Sequence, residues 1–181
     1  MESTKRLFVG IELPDDCKVA LTGLNPRLPG LRWLDAAQLH LTLSFLGEVN
    51  AIAQEALVEN LGGVRVPPFF LPFQGLGSFS AHGEPSVVWV GVGHGHPHLF
   101  ALHQRVQDAV LRSGLEADLK PFHPHVTVAR AKGLSKQSLQ PLLRKHRETE
   151  FGMMKVVAFT LFSSVLGTEG AQHTAELHVT L

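Results

Sequence analysis

This sequence of 181 residues contains one cysteine and no tyrosine, and it has no excess of either charge. A single thiol, Cys17, excludes a disulfide within the chain and a zinc site built on several cysteines, which favours a reducing compartment. The 16 basic residues balance the 16 acidic ones. Proteins that bind long nucleic-acid tracts neutralise many phosphates at once, so any nucleic-acid contact should be local.

Long apolar segments are also missing. No stretch approaches the ~18 consecutive apolar residues that span a membrane, and Met1 to Arg6 lead into a strand-like run rather than the apolar region of a signal peptide. We therefore expect a cytoplasmic protein without membrane contact. No linker, charge run or low-complexity tract divides the sequence, and we expect residues 1–181 to form a single domain and a monomer.

Apolar spacing predicts strands and helices that follow one another along the whole chain. This mixture indicates α+β or α/β architecture. The predicted strands are Arg6 to Leu13, Leu31 to Leu34, His40 to Leu46, Phe69 to Phe79, Val87 to Val92, Val126 to Ala129, Val156 to Val165 and Glu176 to Leu181. The predicted helices run from Asp15 to before Pro26, from Ala51 to Leu61, from Leu99 to Leu111 and from Ser135 to Leu143.

Each half of the chain contains a strand that bears a His-x-Thr tripeptide and precedes a helix. Side chains alternate along a strand, so His40 and Thr42 point the same way, as do His125 and Thr127. Hydroxyls can bond phosphate oxygens, and hydrolysis of a phosphodiester needs one group to accept a proton and another to donate one. Histidine suits both roles because its unperturbed pKa is about 6.5.

The tripeptide alone is a weak signal, because a third copy, His178-Val-Thr, closes the sequence. His40 stands before Phe45-Leu-Gly47, a strand-ending turn that would present it at an edge. His125 stands close to Arg130, whose guanidinium suits an anion. His178 has no such neighbours, and we interpret it as a structural residue on a half-exposed strand.

The segments His40-Leu-Thr-Leu-Ser-Phe-Leu-Gly47 and Pro121-Phe-His-Pro-His-Val-Thr-Val-Ala-Arg130 resemble the two signature motifs of the 2H phosphoesterases. They are most similar to the LigT-like bacterial and archaeal RNA 2′,3′-cyclic phosphodiesterases, once called 2′-5′ RNA ligases. The resemblance also covers Arg6 to Pro14, Val87 to Val92 and Leu161 to Ser164.

This resemblance implies an α+β fold of two related lobes about a pseudo-two-fold axis. Antiparallel sheets would face a central cleft, with the helices outside. It further implies that His40 donates a proton to the departing O3′, that His125 accepts one from water, and that Thr42 and Thr127 hold phosphate oxygens. It implies no metal and no organic cofactor.

Two details fit the family less directly. Arg130 corresponds to an arginine that assists the site, yet strict alternation from His125 would turn it to the opposite face, so its contact requires the strand to end or twist. Near the C-terminus the family usually has a tyrosine after a Gly-rich turn, whereas this chain has Gly170-Ala-Gln-His173. That difference concerns contacts at the rim of the site.

Other clusters favour simpler interpretations. His94, His96 and His98 alternate as metal ligands can, but no carboxylate or cysteine lies beside them, so a loop is favoured. Aromatic residues on strands are more often core residues than base-stacking ones.

The expected reaction is hydrolysis of the 2′,3′-cyclic phosphate on an RNA end or nucleotide, with 2′-5′ ligation as its reverse. Two alternatives remain open. The first is a diesterase for 2′-5′ oligoadenylate or a cyclic ADP-ribose phosphate, and the second is an RNA-end binding module without turnover.

Overall fold

The computed structural model describes residues 4–92, 96–118, 120–168 and 170–181. Nine strands and four α-helices follow one another along these ranges. The strands are β1 (Thr4–Glu12), β2 (Leu31–Trp33), β3 (His40–Asn50), β4 (Phe69–Ala81), β5 (Glu84–Val92), β6 (His125–Ala131), β7 (Glu150–Val156), β8 (Ala158–Gly167) and β9 (Gly170–Thr180). The helices are α1 (Asp15–Thr22), α2 (Ala51–Gly62), α3 (Pro97–Arg112) and α4 (Lys136–Lys145), with a short 3-10 turn at Ala36–Gln38.

All nine strands belong to one antiparallel sheet that curls into a half-barrel, with the strand order β7-β4-β5-β6-β3-β1-β8-β9 and with β2 beside β6. The α+β class is therefore confirmed. The sheet has two halves of four strands each, β3-β1-β8-β9 and β6-β5-β4-β7, and β3 and β6 meet at its centre. The two sheets expected from the family resemblance are these two halves, joined edge to edge.

The apolar side of the central strands forms the core. Leu41, Val90, Val126 and Val128 are fully buried, because alternate residues of each strand point to the same face. Helices α2 and α3 pack against each other and against β3, and α4 packs against β4 and β5. The opposite face of the central strands is left for polar and aromatic side chains.

Local sequence signals explain where the helices begin. The Asn50 side chain accepts a hydrogen bond from the amide of Ala53 (2.9 Å) and caps α2, and Ser135 accepts one from Ser138 (3.1 Å) and caps α4. Pro97 occupies the first turn of α3, where its missing N–H costs nothing. No helix in the described ranges is long and apolar enough to cross a membrane.

Two elements differ from the sequence prediction. Strand β7 was not predicted, because its alternation is broken by exposed Met153 and by Gly152. Strand β9 begins at Gly170, six residues before the predicted Glu176.

Candidate active site

The two predicted histidines come together where β3 and β6 pair. Leu41 lies directly opposite Val126 in the antiparallel register, and both side chains point into the core. The residues on either side of them in each strand therefore project from the other face. This face holds His40 and Thr42 from one strand and His125 and Thr127 from the other.

Antiparallel register also decides how these four side chains are arranged. With Leu41 opposite Val126, His40 falls opposite Thr127, and Thr42 falls opposite His125. The result is a square in which each imidazole has one hydroxyl on its own strand and another on the neighbouring strand. A pseudo-two-fold axis passes through the Leu41–Val126 pair.

Both rings are held by the same kind of hydrogen bond. The Nδ1–H of His40 donates to the carbonyl oxygen of Gln38 (2.8 Å), and the Nδ1–H of His125 donates to the carbonyl oxygen of His123 (2.6 Å). A carbonyl oxygen can only accept, so each neutral ring carries its proton on Nδ1. Nε2 of each ring, which bonds no other group in the described part of the chain, is left to accept or donate a proton.

Burial favours the neutral form of both histidines. It lowers the pKa of His40 to about 4, although the bond to Gln38 acts in the opposite direction and charge on His173 and His125 adds to the lowering. Burial also lowers the pKa of His125, again against the effect of its backbone bond. Without substrate, burial therefore favours the neutral ring at both positions.

Aromatic rings surround each histidine. The Phe8 ring packs on His40 with its centroid 4.7 Å away and stacks on Phe162 at 5.0 Å. On the other half of the site, the rings of Phe79 and Trp89 lie 4.9 and 6.1 Å from that of His125. These apolar neighbours account for the desolvation that lowers both pKa values.

A β-bulge occurs at the same place in both motifs. In β6, Thr127 pairs with Trp89 but Ala129 pairs with Val88, which leaves Val128 as an extra residue. In β3, Thr42 pairs with Gly10 but Ser44 pairs with Val9, which leaves Leu43 as the extra one.

An extra residue reverses the alternation that follows it. Val128 and Ala129 are consequently both buried, and exposed Arg130 returns to the face of His125 and Thr127. Arg130 can reach the site only if the strand ends or twists after His125, and this bulge provides that change.

The corresponding residue of the first motif is Phe45, which sequence reasoning did not single out as a site residue. Its side chain is 60% exposed, and it lies opposite Phe8, with ring centroids 6.0 Å apart. Alignment of His-Leu-Thr-Leu-Ser-Phe with His-Val-Thr-Val-Ala-Arg would have shown that Phe45 and Arg130 are equivalent. The site thus ends in an arginine on one side and an exposed aromatic ring on the other.

His173 is a second residue whose place the sequence did not reveal. It stands edge-on to His40, with ring centroids 5.2 Å apart, in the region where the family usually has a tyrosine. Gly170 lets β9 lie close to Gln38, because a Cβ there would overlap the side-chain amide of Gln38. That amide donates to the carbonyl of Ala171 (3.3 Å), which ties β9 to the residue that orients His40.

The remaining sequence candidates lie apart from the square. His178 hydrogen-bonds through Nδ1 with Thr160, whose hydroxyl donates to Glu12. The rings of His96 and His98 pack beside Phe69, and His94 lies outside the described residues. Within residues 4–92, 96–118, 120–168 and 170–181, no group of three His, Cys, Asp or Glu side chains is placed to hold a metal ion.

Comparison with known proteins gives a consistent result. The chain is 33% identical over 168 residues to the RNA 2′,3′-cyclic phosphodiesterase of Archaeoglobus fulgidus, covering 91% of this chain and 94% of that protein. It is 34% identical over 141 residues to the protein of the same name from Aeropyrum pernix, covering 77% and 80% of the two chains. The crystal structure of E. coli LigT complexed with 3′-AMP superposes with a TM-score of 0.82 at 28% identity, covering 99% of each chain.

Residues 15–168 match the sequence profile of the 2′-5′ RNA ligase superfamily. This match covers far more than half of the chain, and it includes both His-x-Thr strands and the bulges that follow them. The chain belongs to the 2′-5′ RNA ligase superfamily, the LigT-like 2H phosphoesterases that its two motifs resemble.

Proposed function

We propose that this protein hydrolyses 2′,3′-cyclic phosphates, on RNA ends or on nucleotides, to 2′-phosphomonoesters. The observation that carries the proposal is the square of His40, Thr42, His125 and Thr127 about the Leu41–Val126 pair. It offers two proton-transfer groups and two hydroxyls on one face of the sheet. The relatives named RNA 2′,3′-cyclic phosphodiesterase support the choice of substrate.

In the proposed mechanism, Nε2 of neutral His125 takes a proton from water as the oxygen attacks phosphorus. The bond from phosphorus to O3′ breaks, and O3′ receives the Nε2 proton of His40. Thr42 and Thr127 donate hydrogen bonds to the non-bridging oxygens. The product retains its phosphate on O2′.

The protonation states place a condition on this assignment. Burial disfavours the imidazolium of His40, which must be charged to act as the acid. A bound cyclic phosphate brings one negative charge to the square, and an opposite charge within ~4–6 Å favours the protonated form. We therefore propose that substrate binding protonates His40. The choice of His40 over His125 rests on the family resemblance.

Arg130 and Phe45 would hold the parts of the substrate that flank the reacting phosphate. Arg130 is exposed on the face of the square and offers an anion a bidentate contact. Phe45 offers an exposed ring on which an unpaired base can stack. We also propose that the two halves work as one domain, since each half provides one histidine of the pair, and that the protein is a monomer.

A substrate panel tests the proposal. RNA ending in a 2′,3′-cyclic phosphate, 2′-5′ oligoadenylate and cyclic nucleotides would each be incubated with the protein in EDTA, and the products separated by chromatography. We expect the cyclic-phosphate RNA to yield a 2′-phosphate. Turnover of oligoadenylate alone would indicate a different diesterase, and binding without turnover of any substrate would indicate a binding module.

A further inference from the structure

A cavity of about 320 Å³ adjoins the square on the side of His125. Trp89 and His123 link the two, because both line the cavity and their rings lie 6.1 and 5.9 Å from that of His125. Neither His40 nor its aromatic neighbours border this space. The volume is within the range of pockets that enclose small organic ligands.

The walls of the cavity present aromatic surfaces. The indole of Trp89 lies against Gly77 of β4, where any Cβ would overlap its six-membered ring. Phe100 projects from α3 with 39% of its surface exposed and meets Phe122 edge-on, with centroids 5.4 Å apart. Rings in this arrangement suit a nucleobase, because every base has a π-face that stacks on aromatic side chains.

The polar groups around the cavity favour a neutral or anionic ligand. Its lining contains Gln74, His123 and Arg147 but no aspartate or glutamate. Arg147 lies exposed at the edge, and no ion pair within the described ranges involves it. A nucleoside joined to a phosphate would meet aromatic walls and one cation.

The direction of the reaction decides which nucleoside this is, and here the inference rests on the proposed function. Attack at phosphorus is in line, so the oxygen that enters and the O3′ that leaves lie on opposite sides of it. If His125 activates the entering oxygen and His40 protonates O3′, the nucleoside of the cyclic phosphate lies toward His40. The cavity lies toward the position of the entering oxygen.

Water is one occupant of that position, and a ribose 5′-hydroxyl is another. We propose that the cavity is a subsite for the nucleoside that carries this 5′-hydroxyl. The 5′-oxygen gives its proton to Nε2 of His125 and bonds to phosphorus, while O3′ departs with the proton of His40. The product is a 2′-5′ diester. The reverse step cleaves such a diester to a cyclic phosphate and a free 5′-hydroxyl, with the two histidines exchanging roles.

Two substrates distinguish the contribution of this subsite from that of the rest of the site. One is 2′-5′-linked diadenosine monophosphate, whose 5′-linked nucleoside would occupy the cavity. The other is a diadenosine dinucleotide that ends in a 2′,3′-cyclic phosphate, which leaves the cavity empty while water attacks. Turnover of both would be measured for the wild type and for the variants Phe100→Ala and Arg147→Gln.

The matched controls are Phe70→Ala and Arg112→Gln, which remove an exposed phenylalanine and an exposed arginine that do not line the cavity. We expect Phe100→Ala to lower kcat/KM for the 2′-5′ diester by about 5- to 100-fold, the range of base-stacking losses. Arg147→Gln should lower it less. Hydrolysis of the cyclic phosphate should stay within about twofold in both variants, and the controls should resemble the wild type on both substrates.

Equal losses on both substrates would overturn the subsite, because the cavity would then hold part of the cyclic-phosphate strand. Unchanged rates on both would overturn it as well. If the wild type hydrolyses the cyclic phosphate but does not cleave the 2′-5′ diester, the subsite is overturned and the proposed function remains. No hydrolysis of the cyclic phosphate by the wild type would reject the proposed function, and the subsite with it.

Discussion

Leu41 and Val126 face each other where the two halves of the sheet meet, and this single pair sets the geometry of the site. Because both side chains are buried, the residues beside them face outward in a fixed pattern. His40 lies opposite Thr127, and His125 lies opposite Thr42. A slip of one residue in this register would turn the His-Thr pair of one strand toward the core face and break up the square.

Only two of the three His-x-Thr copies should be needed for activity. His40→Ala or His125→Ala should each lower kcat/KM on cyclic-phosphate RNA by about 100- to 10,000-fold, the range that general acid or base catalysis supplies. His178→Ala, at an exposed position bonded to Thr160, should remain within about twofold. Initial rates measured in EDTA check all three, and loss of most activity in His178→Ala would show that the wrong pair was chosen.

Arg130 should contribute through its charge. Arg130→Gln removes a charge-assisted hydrogen bond, which is worth about 1.5–3 kcal/mol, so kcat/KM on cyclic-phosphate RNA should fall by about 10- to 100-fold. Arg112→Gln, an exposed arginine at the end of α3, is the control and should have no effect. Equal rates for the two variants would mean that Arg130 does not contact the substrate.

RNA binding should depend only weakly on salt. The protein has no net charge, and the site would engage one or two phosphates, each contributing ~0.7 to the log-log slope for single strands. We expect a slope of about −0.7 to −1.4 for a cyclic-phosphate oligonucleotide, measured by fluorescence anisotropy. A slope near −6 would reveal an extended RNA-binding surface.

The buried His40 should make folding sensitive to acid. Its pKa falls from 6.5 to about 4 in the folded protein, so the folded state favours the neutral ring. Its stabilising contribution is complete above pH 6.5 and is lost as the pH falls toward 4. Linkage gives a loss of about 2 kcal/mol between pH 7 and pH 5 from this group.

His40→Asn removes that titration and serves as the comparison for stability. Urea unfolding at pH 7 and pH 5 should show a smaller drop in unfolding free energy for the variant than for the wild type. His103 and His146, whose pKa values burial also lowers and whose charges do not act on His40, contribute equally to both proteins. An identical drop would mean that His40 is not held neutral.

The sequence was sufficient to predict most of the elements and to single out the two histidines that the structure brings together. Period-two and helical spacing predicted all four helices and placed His40 and His125 on strands, because these signals are local. The pairing of Leu41 with Val126 is a contact between residues 85 positions apart, and nothing local encodes it. Sequence periodicity therefore predicted two histidine-bearing strands, and only the family resemblance indicated that they lie close together.

Local sequence signals did not predict the positions of three residues near the site, Arg130, Phe45 and His173. Strict alternation turned Arg130 away from the site, and only the bulge at Val128 returns it. The same bulge geometry brings Phe45 to the site face, although aromatic residues on strands are usually core residues. His173 lies beside His40 because β9 begins at Gly170, six residues earlier than the sequence predicted.

The division of labour between the histidines is the central claim, and a substrate with a good leaving group tests it most directly. A ribose O3′ needs a proton in order to leave, whereas a nitrophenolate departs without one. His40→Ala should therefore lose far less rate on a nitrophenyl phosphodiester than on a 2′,3′-cyclic phosphate. His125→Ala should be severely impaired on both, because water must be activated whichever group departs.

The decisive measurement is the ratio of kcat/KM on the two substrates for each variant, with pH profiles of the wild type to locate the two titrations of the pair. We predict that the nitrophenyl ester rescues His40→Ala and leaves His125→Ala impaired. If it rescues His125→Ala instead, the acid and the base are exchanged and the assignment of roles is wrong.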